Sequence, residues 1–118
     1  MICDGQLFQS DDDFLDAFLT CRVPASAFDH RGHLRVAWIL LQRYPVDRAV
    51  DITCDGIERL AAHLGVPGKF HYTLTAALVR VMAGDGAADR AVNFDAFLLA
   101  HPALVNDARG VIARHYSA

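Results

Sequence analysis

The chain lacks several features that would assign it to a class of protein. No apolar run in its 118 residues approaches the roughly 20 residues that a membrane-spanning helix needs. The N-terminus, MICDGQLFQS, has neither the basic region nor the long apolar region of a secretory signal. The net charge is -3, so the basic excess typical of nucleic-acid binding is also missing. We therefore expect a cytoplasmic protein that binds neither a membrane nor nucleic acid.

Cysteine is scarce and scattered, with only Cys3, Cys21 and Cys54 in the chain. An odd number without a C-x-x-C pair argues against a disulfide framework and against a cysteine-rich zinc site. We expect three free thiols, with Cys21 and Cys54 in or near the core.

Several sequence motifs of catalysis are missing as well. The chain contains no G-x-S-x-G nucleophile motif, no glycine-rich phosphate loop and no H-E-x-x-H zinc motif. A catalytic Cys–His pair stays open, because its members meet in space rather than in sequence. No motif therefore assigns a reaction, and the sequence leaves open whether the protein is an enzyme.

The patterns that are present indicate helices. Apolar residues make up 53% of the chain and charged residues 21%, as in a globular domain, and no segment alternates between apolar and polar residues as strands do. We predict that residues 1–118 form one all-α domain, a compact bundle of about five helices. The predicted helices follow Ser10, cover about 30–44, 46–64 and 71–83, and follow Asn93, with one or two short turns after Pro102.

Local signals place the helix ends. Ser10, Asp29 and Asn93 are typical N-caps, and Gly65 stands where a left-handed C-terminal cap belongs. The acidic run 11–13 resembles a metal-binding cluster. Consecutive helical residues point about 100° apart, however, so the run favours capping and dipole interactions.

Two histidines open the second predicted helix, in FDHRGHLRVAW. His30 and His33 are three residues apart, so they share the apolar face of that helix. His71 opens the fourth helix, HYTLTAALVRVMA, which is apolar almost all round and therefore predicted to be central. Helix N-termini disfavour imidazolium, so these rings are expected to be neutral. Three converging neutral imidazoles form the ligand set of an open zinc or ferrous iron site.

The alternative is that the three rings are core histidines bonded to backbone carbonyls and to Thr73 or Thr75. The spacing does not decide between these two interpretations. Of the other histidines, His63 is expected on the surface and His101 in a loop, while His115 lies near enough to the chain end to fold back over the site.

Four blocks, in the order FDHRGHLRVAW, VPGKFHYTLT, F-x-x-F-L-x-x-H-P-x-L and ARHYS, resemble a family of small uncharacterised bacterial proteins. The resemblance covers roughly 28–117. It implies a shared site rather than a particular reaction. In that family the residue after the third histidine is often glutamate, and Tyr72 stands there in this chain, so a carboxylate ligand is either lost or replaced by a phenol. The matching candidates are His30, His33, His71, Thr73, Thr75, Arg114 and Tyr116.

Three hypotheses follow. The first is a metal-binding protein or small metal-dependent enzyme that holds zinc or ferrous iron, with Thr75 or Tyr72 orienting a ring or a bound water and with Arg114 and Tyr116 facing a substrate. Its proposed ligands are His30, His33 and His71. The second is a metal-free pocket for a small acidic or aromatic ligand, with the neutral imidazoles, Tyr72 and Arg114 as hydrogen-bonding groups. The third is a helical accessory module whose histidines are structural.

Overall fold

The computed structural model describes residues 10–24, 28–66, 72–89 and 93–116, and the side chains of the last helix as far as residue 114. Every regular element in these ranges is a helix, which confirms the all-α prediction. The described ranges contain seven helices rather than about five. They are α1 (Asp11–Leu19), α2 (His30–Arg43), α3 (Val46–His63), α4 (Tyr72–Gly84), α5 (Phe94–Ala100), α6 (Pro102–Asn106) and α7 (Ala108–Tyr116).

The additional helices arise because the C-terminal third of the chain is interrupted twice. His101 ends α5 with an extended φ of -130°, and Pro102 then begins α6, a position where its missing N–H costs nothing. Asp107 departs from helical geometry at φ -151° and separates α6 from α7. The segment predicted as one or two turns is therefore two short helices at an angle set by these breaks.

The predicted N-caps are confirmed by hydrogen bonds. Oγ of Ser10 accepts the N–H of Asp13 at 3.0 Å, and the Asp29 carboxylate accepts the N–H of Gly32 at 3.0 Å. The side-chain oxygen of Asn93 accepts the N–H of Ala96 at 2.8 Å. Each cap satisfies an amide that the helix itself leaves unpaired, which is why these three positions fix where α1, α2 and α5 begin.

The acidic run at the start of α1 is engaged with arginines rather than converging on one point. Asp11 lies 3.3 Å from the guanidinium of Arg35, and Asp12 pairs with Arg43, both on α2. The Arg35 guanidinium also lies 4.5 Å from the centre of the Phe14 ring. These contacts support the capping interpretation of the run and attach α1 to α2.

α1 and α3 end in the same backbone motif. The N–H of Arg22 bonds the Ala17 carbonyl at 2.7 Å, and the N–H of Val66 bonds the Ala61 carbonyl at 2.8 Å. The residue before each of these donors is left-handed, with φ 56° at Cys21 and φ 80° at Gly65. This is the Schellman arrangement. The predicted glycine cap is confirmed. The sequence also predicts that the first helix ends at Val23-Pro24, because the residue before a proline disfavours helical geometry, but α1 ends earlier, at Leu19.

The core lies where α3 packs along α4 and α2 packs against both. Leu34, Ile39, Leu60 and Met82 are among its fully buried side chains. α1 closes one side through Phe18, whose ring lies against Gly56 of α3.

α4 is central only over its second half. Val79, Val81 and Met82 are buried, whereas the side chains from Leu74 to Leu78 are half-buried and Tyr72 is 57% exposed. The helix that was predicted to be central is therefore buried in its second half only, and clefts lie along its N-terminal half. No helix in the described ranges is long and apolar enough to cross a membrane.

Candidate functional site

A cleft of about 330 Å³ lies where the start of α2, the first half of α4 and the first turns of α7 meet. This volume is within the usual range for small-molecule sites. From α2 and the residues before it come Phe28, Asp29, His30 and His33; from α4, Leu74, Thr75 and Leu78; and from α7, Ala108, Arg109 and Ile112.

The N-terminus of α2 sets the position of two of the histidine rings. With Asp29 as N-cap, His30 is the first helical residue and His33 the fourth. Phe28 precedes the cap, and its ring packs on the His33 ring with centroids 4.3 Å apart. A contact between these two helix positions is the hydrophobic staple, which fixes how the chain enters a helix. The cap and the staple together orient His33.

His30 is tied to a distant part of the chain. Its Nε2 lies 2.7 Å from the carbonyl oxygen of Leu104 in α6. A carbonyl only accepts hydrogen bonds, so Nε2 carries the proton and, in the neutral ring, Nδ1 is the acceptor. His30 is exposed rather than inward-facing, and the first large apolar side chain of α2 that is fully buried is Leu34. The expected inward face therefore begins after His30.

His33 is half-buried and held by its own helix end. Its Nδ1 donates to the carbonyl of Asp29 at 2.8 Å, which leaves Nε2 as the acceptor of the neutral ring. Burial lowers the pKa of His33, and the nearby His30 lowers it further, against the opposing effect of the hydrogen bond to Asp29. His33 is therefore neutral at pH 7.

The structural-histidine alternative expects bonds to backbone carbonyls, and the two described rings bond the carbonyls of Asp29 and Leu104. Neither of these rings bonds Thr73 or Thr75. The same arrangement is typical of metal-binding histidines, which usually donate their second ring nitrogen to a carbonyl or carboxylate. The hydrogen bonds alone are thus compatible with both interpretations.

The remaining candidates separate in space. Thr75 lines the cleft with the two histidines, whereas Tyr72 and Thr73 line a different groove of about 390 Å³ on α4. Arg114 is exposed and lies 3.8 Å from Asp107, away from the cleft. His71 and the side chain of Tyr116 lie outside the described residues.

Arg109 is one of the cleft residues that the sequence reasoning missed. Seven of the nine described arginines pair with a carboxylate, and the exceptions are Arg48 and Arg109. Of these two, Arg109 lines the cleft. The signal available in the sequence was its spacing of three residues from Ile112, which places both on one face of a helix that begins at Ala108.

Phe28 begins the FDHRGHLRVAW block, but it was not predicted to be a site residue. Its position one residue before a predicted N-cap is the staple position, and that register predicts its contact with His33. An aromatic wall beside the imidazole was therefore accessible from the sequence.

Across the described ranges, no three or more His, Cys, Asp or Glu side chains are grouped so that they could hold a metal ion. The proposed third ligand, His71, is outside those ranges. The metal site consequently stays a prediction.

Neither described cysteine contributes to the cleft. Cys21 and Cys54 are free thiols, as predicted, and Cys3 is outside the described residues. Burial, with a smaller effect from Asp51, raises the pKa of the Cys54 thiol to about 11, which makes it a poor nucleophile.

The other histidines lie elsewhere. His63 is exposed at the end of α3, and His101 packs on Phe97 with its Nδ1 3.8 Å from Asp85. The side chain of His115 is outside the described residues.

Comparison of the chain with protein-family models, with curated proteins and with solved structures found no match.

Proposed function

We propose that the protein binds a small organic carboxylate with an apolar portion in the cleft between α2, α4 and α7. The observation that carries this proposal is the guanidinium of Arg109, which pairs with no carboxylate among the described residues and lines a cavity of about 330 Å³. Arginine binds carboxylates through two parallel hydrogen bonds, which gives both affinity and orientation.

The charges at the start of α7 leave the Arg109 guanidinium without a described carboxylate partner. The Asp107 carboxylate caps this helix by accepting the N–H of Gly110 at 3.3 Å, and it lies 3.8 Å from the guanidinium of Arg114. Arg109 stands in the first turn of the same nine-residue helix, so a bound anion can pair with it there. Asp29, the one carboxylate among the described lining residues, already accepts the N–H of Gly32 and neutralises the start of α2.

The rest of the lining indicates a ligand that is polar at one end. Thr75 offers a hydroxyl, and the ring nitrogen of His33 that does not bond Asp29 can accept a hydrogen bond from a ligand or from water. Leu74, Leu78 and Ile112 supply an apolar wall. Small-molecule sites commonly combine such a wall with a few polar groups.

Calorimetric titration with hexanoate and benzoate tests the proposal, with hexanamide and benzamide as neutral controls of similar shape. Arg109→Gln is expected to weaken acid binding by about 10-fold to 100-fold, the range for a lost charge-assisted hydrogen bond. Arg114→Gln, on the same helix but outside the cleft, is the matched control and should bind normally. Equal binding of acids and amides, or an equal loss in both variants, would contradict the proposal.

A metal ion held by His30, His33 and His71 is the second candidate. Its support is the carbonyl bond at each described ring, which leaves one nitrogen lone pair per imidazole. Protein purified without chelator is then expected to carry about one zinc or iron per chain, lost in His33→Gln and retained in the exposed His63→Gln.

Metal analysis without a bound ion, together with no thermal shift on adding zinc or ferrous iron, would contradict this second candidate. The two candidates are separable, because acid binding through Arg109 alone persists in the presence of a chelator.

A further inference from the structure

A second cleft adjoins the first and is lined mainly by apolar side chains. Its volume is about 290 Å³, and His33 is the single polar side chain among its described lining residues. Ile57, Leu60, Ala61 and Leu64 of α3 line it together with Val66.

The two clefts border the same pair of rings. Phe28 and His33 line both of them, and their rings pack with centroids 4.3 Å apart and planes tilted by 40°, so this aromatic pair forms a partition that both clefts share. A molecule that binds at Arg109 and extends past this pair enters the apolar cleft.

The rim of the second cleft leaves large apolar side chains in water. Leu64 is 37% exposed and Val66 39% exposed, both among the most exposed large apolar residues of the described ranges. Covering such surface is favourable in proportion to its area. No charged group lines this cleft within the described residues, so its occupant is a hydrocarbon rather than a polar group.

We infer that the ligand is a linear carboxylic acid of medium chain length, with its carboxylate at Arg109 and its hydrocarbon tail over the Phe28–His33 pair in the α3 cleft. This inference rests on the proposed function of the first cleft and specifies its ligand class. Arg109 would select ligands by their negative charge, and the second cleft would select them by the length of their hydrocarbon chain.

The test is a series of titrations with butanoate, hexanoate, octanoate and decanoate. Each methylene that enters the second cleft is expected to tighten binding about fourfold, since a buried methylene contributes that much to a transfer equilibrium. Ala61→Leu fills the second cleft and should remove this gain, so that decanoate binds no better than a short acid. Ala62→Leu, the exposed neighbour on α3, is the matched control and should keep the gain.

A measurement on the unmodified protein covers the case in which Ala61→Leu does not fold. In methyl NMR spectra, decanoate is expected to shift the signals of Ile57 and Leu60, whereas butanoate leaves them unchanged. Absence of these shifts with decanoate overturns the inference.

The outcomes separate this inference from the proposal on which it rests. Binding that depends on Arg109 but is equal for all chain lengths overturns the inference and leaves the proposed function standing. If affinity still rises with chain length in both Ala61→Leu and Arg109→Gln, the acids adsorb non-specifically. That result also overturns the inference. If no acid binds in an Arg109-dependent way, the proposed function itself fails.

Discussion

Replacing Gly56 with alanine is expected to destabilise the protein, although alanine is the better helix former at an interior position. A Cβ atom at Gly56 would lie 2.3 Å from Cε2 and 2.4 Å from Cζ of Phe18. Phe18 is fully buried and lacks space to withdraw. Overpacking of this kind costs about 1–3 kcal/mol, and the overlap places it at the upper end. The helix propensity of alanine returns about 1 kcal/mol, so the expected net loss is about 1–2 kcal/mol.

The same substitution should reach the cleft through a row of rings. Phe18 stacks on Phe28 with centroids 5.4 Å apart and an interplanar angle of 22°, and Phe28 packs on His33. Displacing the Phe18 ring therefore displaces the partition between the two clefts. We expect Gly56→Ala to weaken ligand binding as well as folding, although Gly56 is not among the residues that line either cleft.

Urea denaturation measures the loss in the free energy of unfolding. Ala62→Gly makes the reverse substitution at an exposed position of α3 and is the control for helix propensity. It should lower the free energy of unfolding by about 1 kcal/mol. Phe18→Leu, combined with Gly56→Ala, frees space at the contact, so the double variant should be more stable than the sum of the single losses predicts. If the free energy of unfolding of Gly56→Ala alone instead rose by about 1 kcal/mol, α1 would be able to move away from the added methyl group without loss of stability. That result would refute the close-contact reasoning.

Three further predictions concern His33, Gly65 and Cys54. Burial lowers the pKa of His33 in the folded state, so its contribution to stability is complete above the unfolded value of 6.5 and is lost as pH falls through the lowered folded value. The free energy of unfolding should therefore fall less steeply with decreasing pH in His33→Gln than in the unmodified protein. Identical pH profiles of the two proteins would contradict this. Gly65→Ala should cost about 1 kcal/mol in urea denaturation, since φ is 80° and an added Cβ meets nothing within 4 Å, so only backbone strain changes; an unchanged stability would refute this. Cys54 is 3% exposed and its pKa is raised to about 11, so it should be alkylated at pH 8 only when the protein unfolds. Half-buried Cys21 should react faster, and peptide mass spectrometry measures both rates. Equal alkylation rates would refute the burial of the Cys54 thiol.

The helix boundaries that sequence predicted well are those set by local chemistry. Ser10, Asp29 and Asn93 cap helices through their own side chains, and Gly65 adopts the left-handed geometry that ends α3. Each signal acts within one helical turn, so it is legible without knowing the rest of the fold. The end of α1 was misplaced because Cys21 adopts left-handed geometry without being glycine.

The candidate site was predictable only as far as it lies on α2. The spacing of His30 and His33 and the staple position of Phe28 are local features. The partner of His30 is not, because a backbone carbonyl such as that of Leu104 has no identity in the sequence. The choice of Arg109 over Arg114 depends on where α7 begins, and Asp107 sets that start by accepting the N–H of Gly110 at 3.3 Å. Asp107 is an N-cap of the same kind as Asp29, but it was not predicted as one.

The two histidines connect the cleft to the fold in different ways. His33 is fixed by its own helix cap and by the ring row that begins at Phe18, so the α2 side of the cleft shares the rigidity of the core. His30 reaches across to the carbonyl of Leu104, linking α2 to the short helices that carry Arg109. A carboxylate bound between Arg109 and the start of α2 adds a second connection along the same line. Ligand binding should therefore protect the amides of α6 and α7 from hydrogen exchange more than those of α3. The C-terminal helices gain a new contact to α2 through the ligand, whereas α3 is already held by the core.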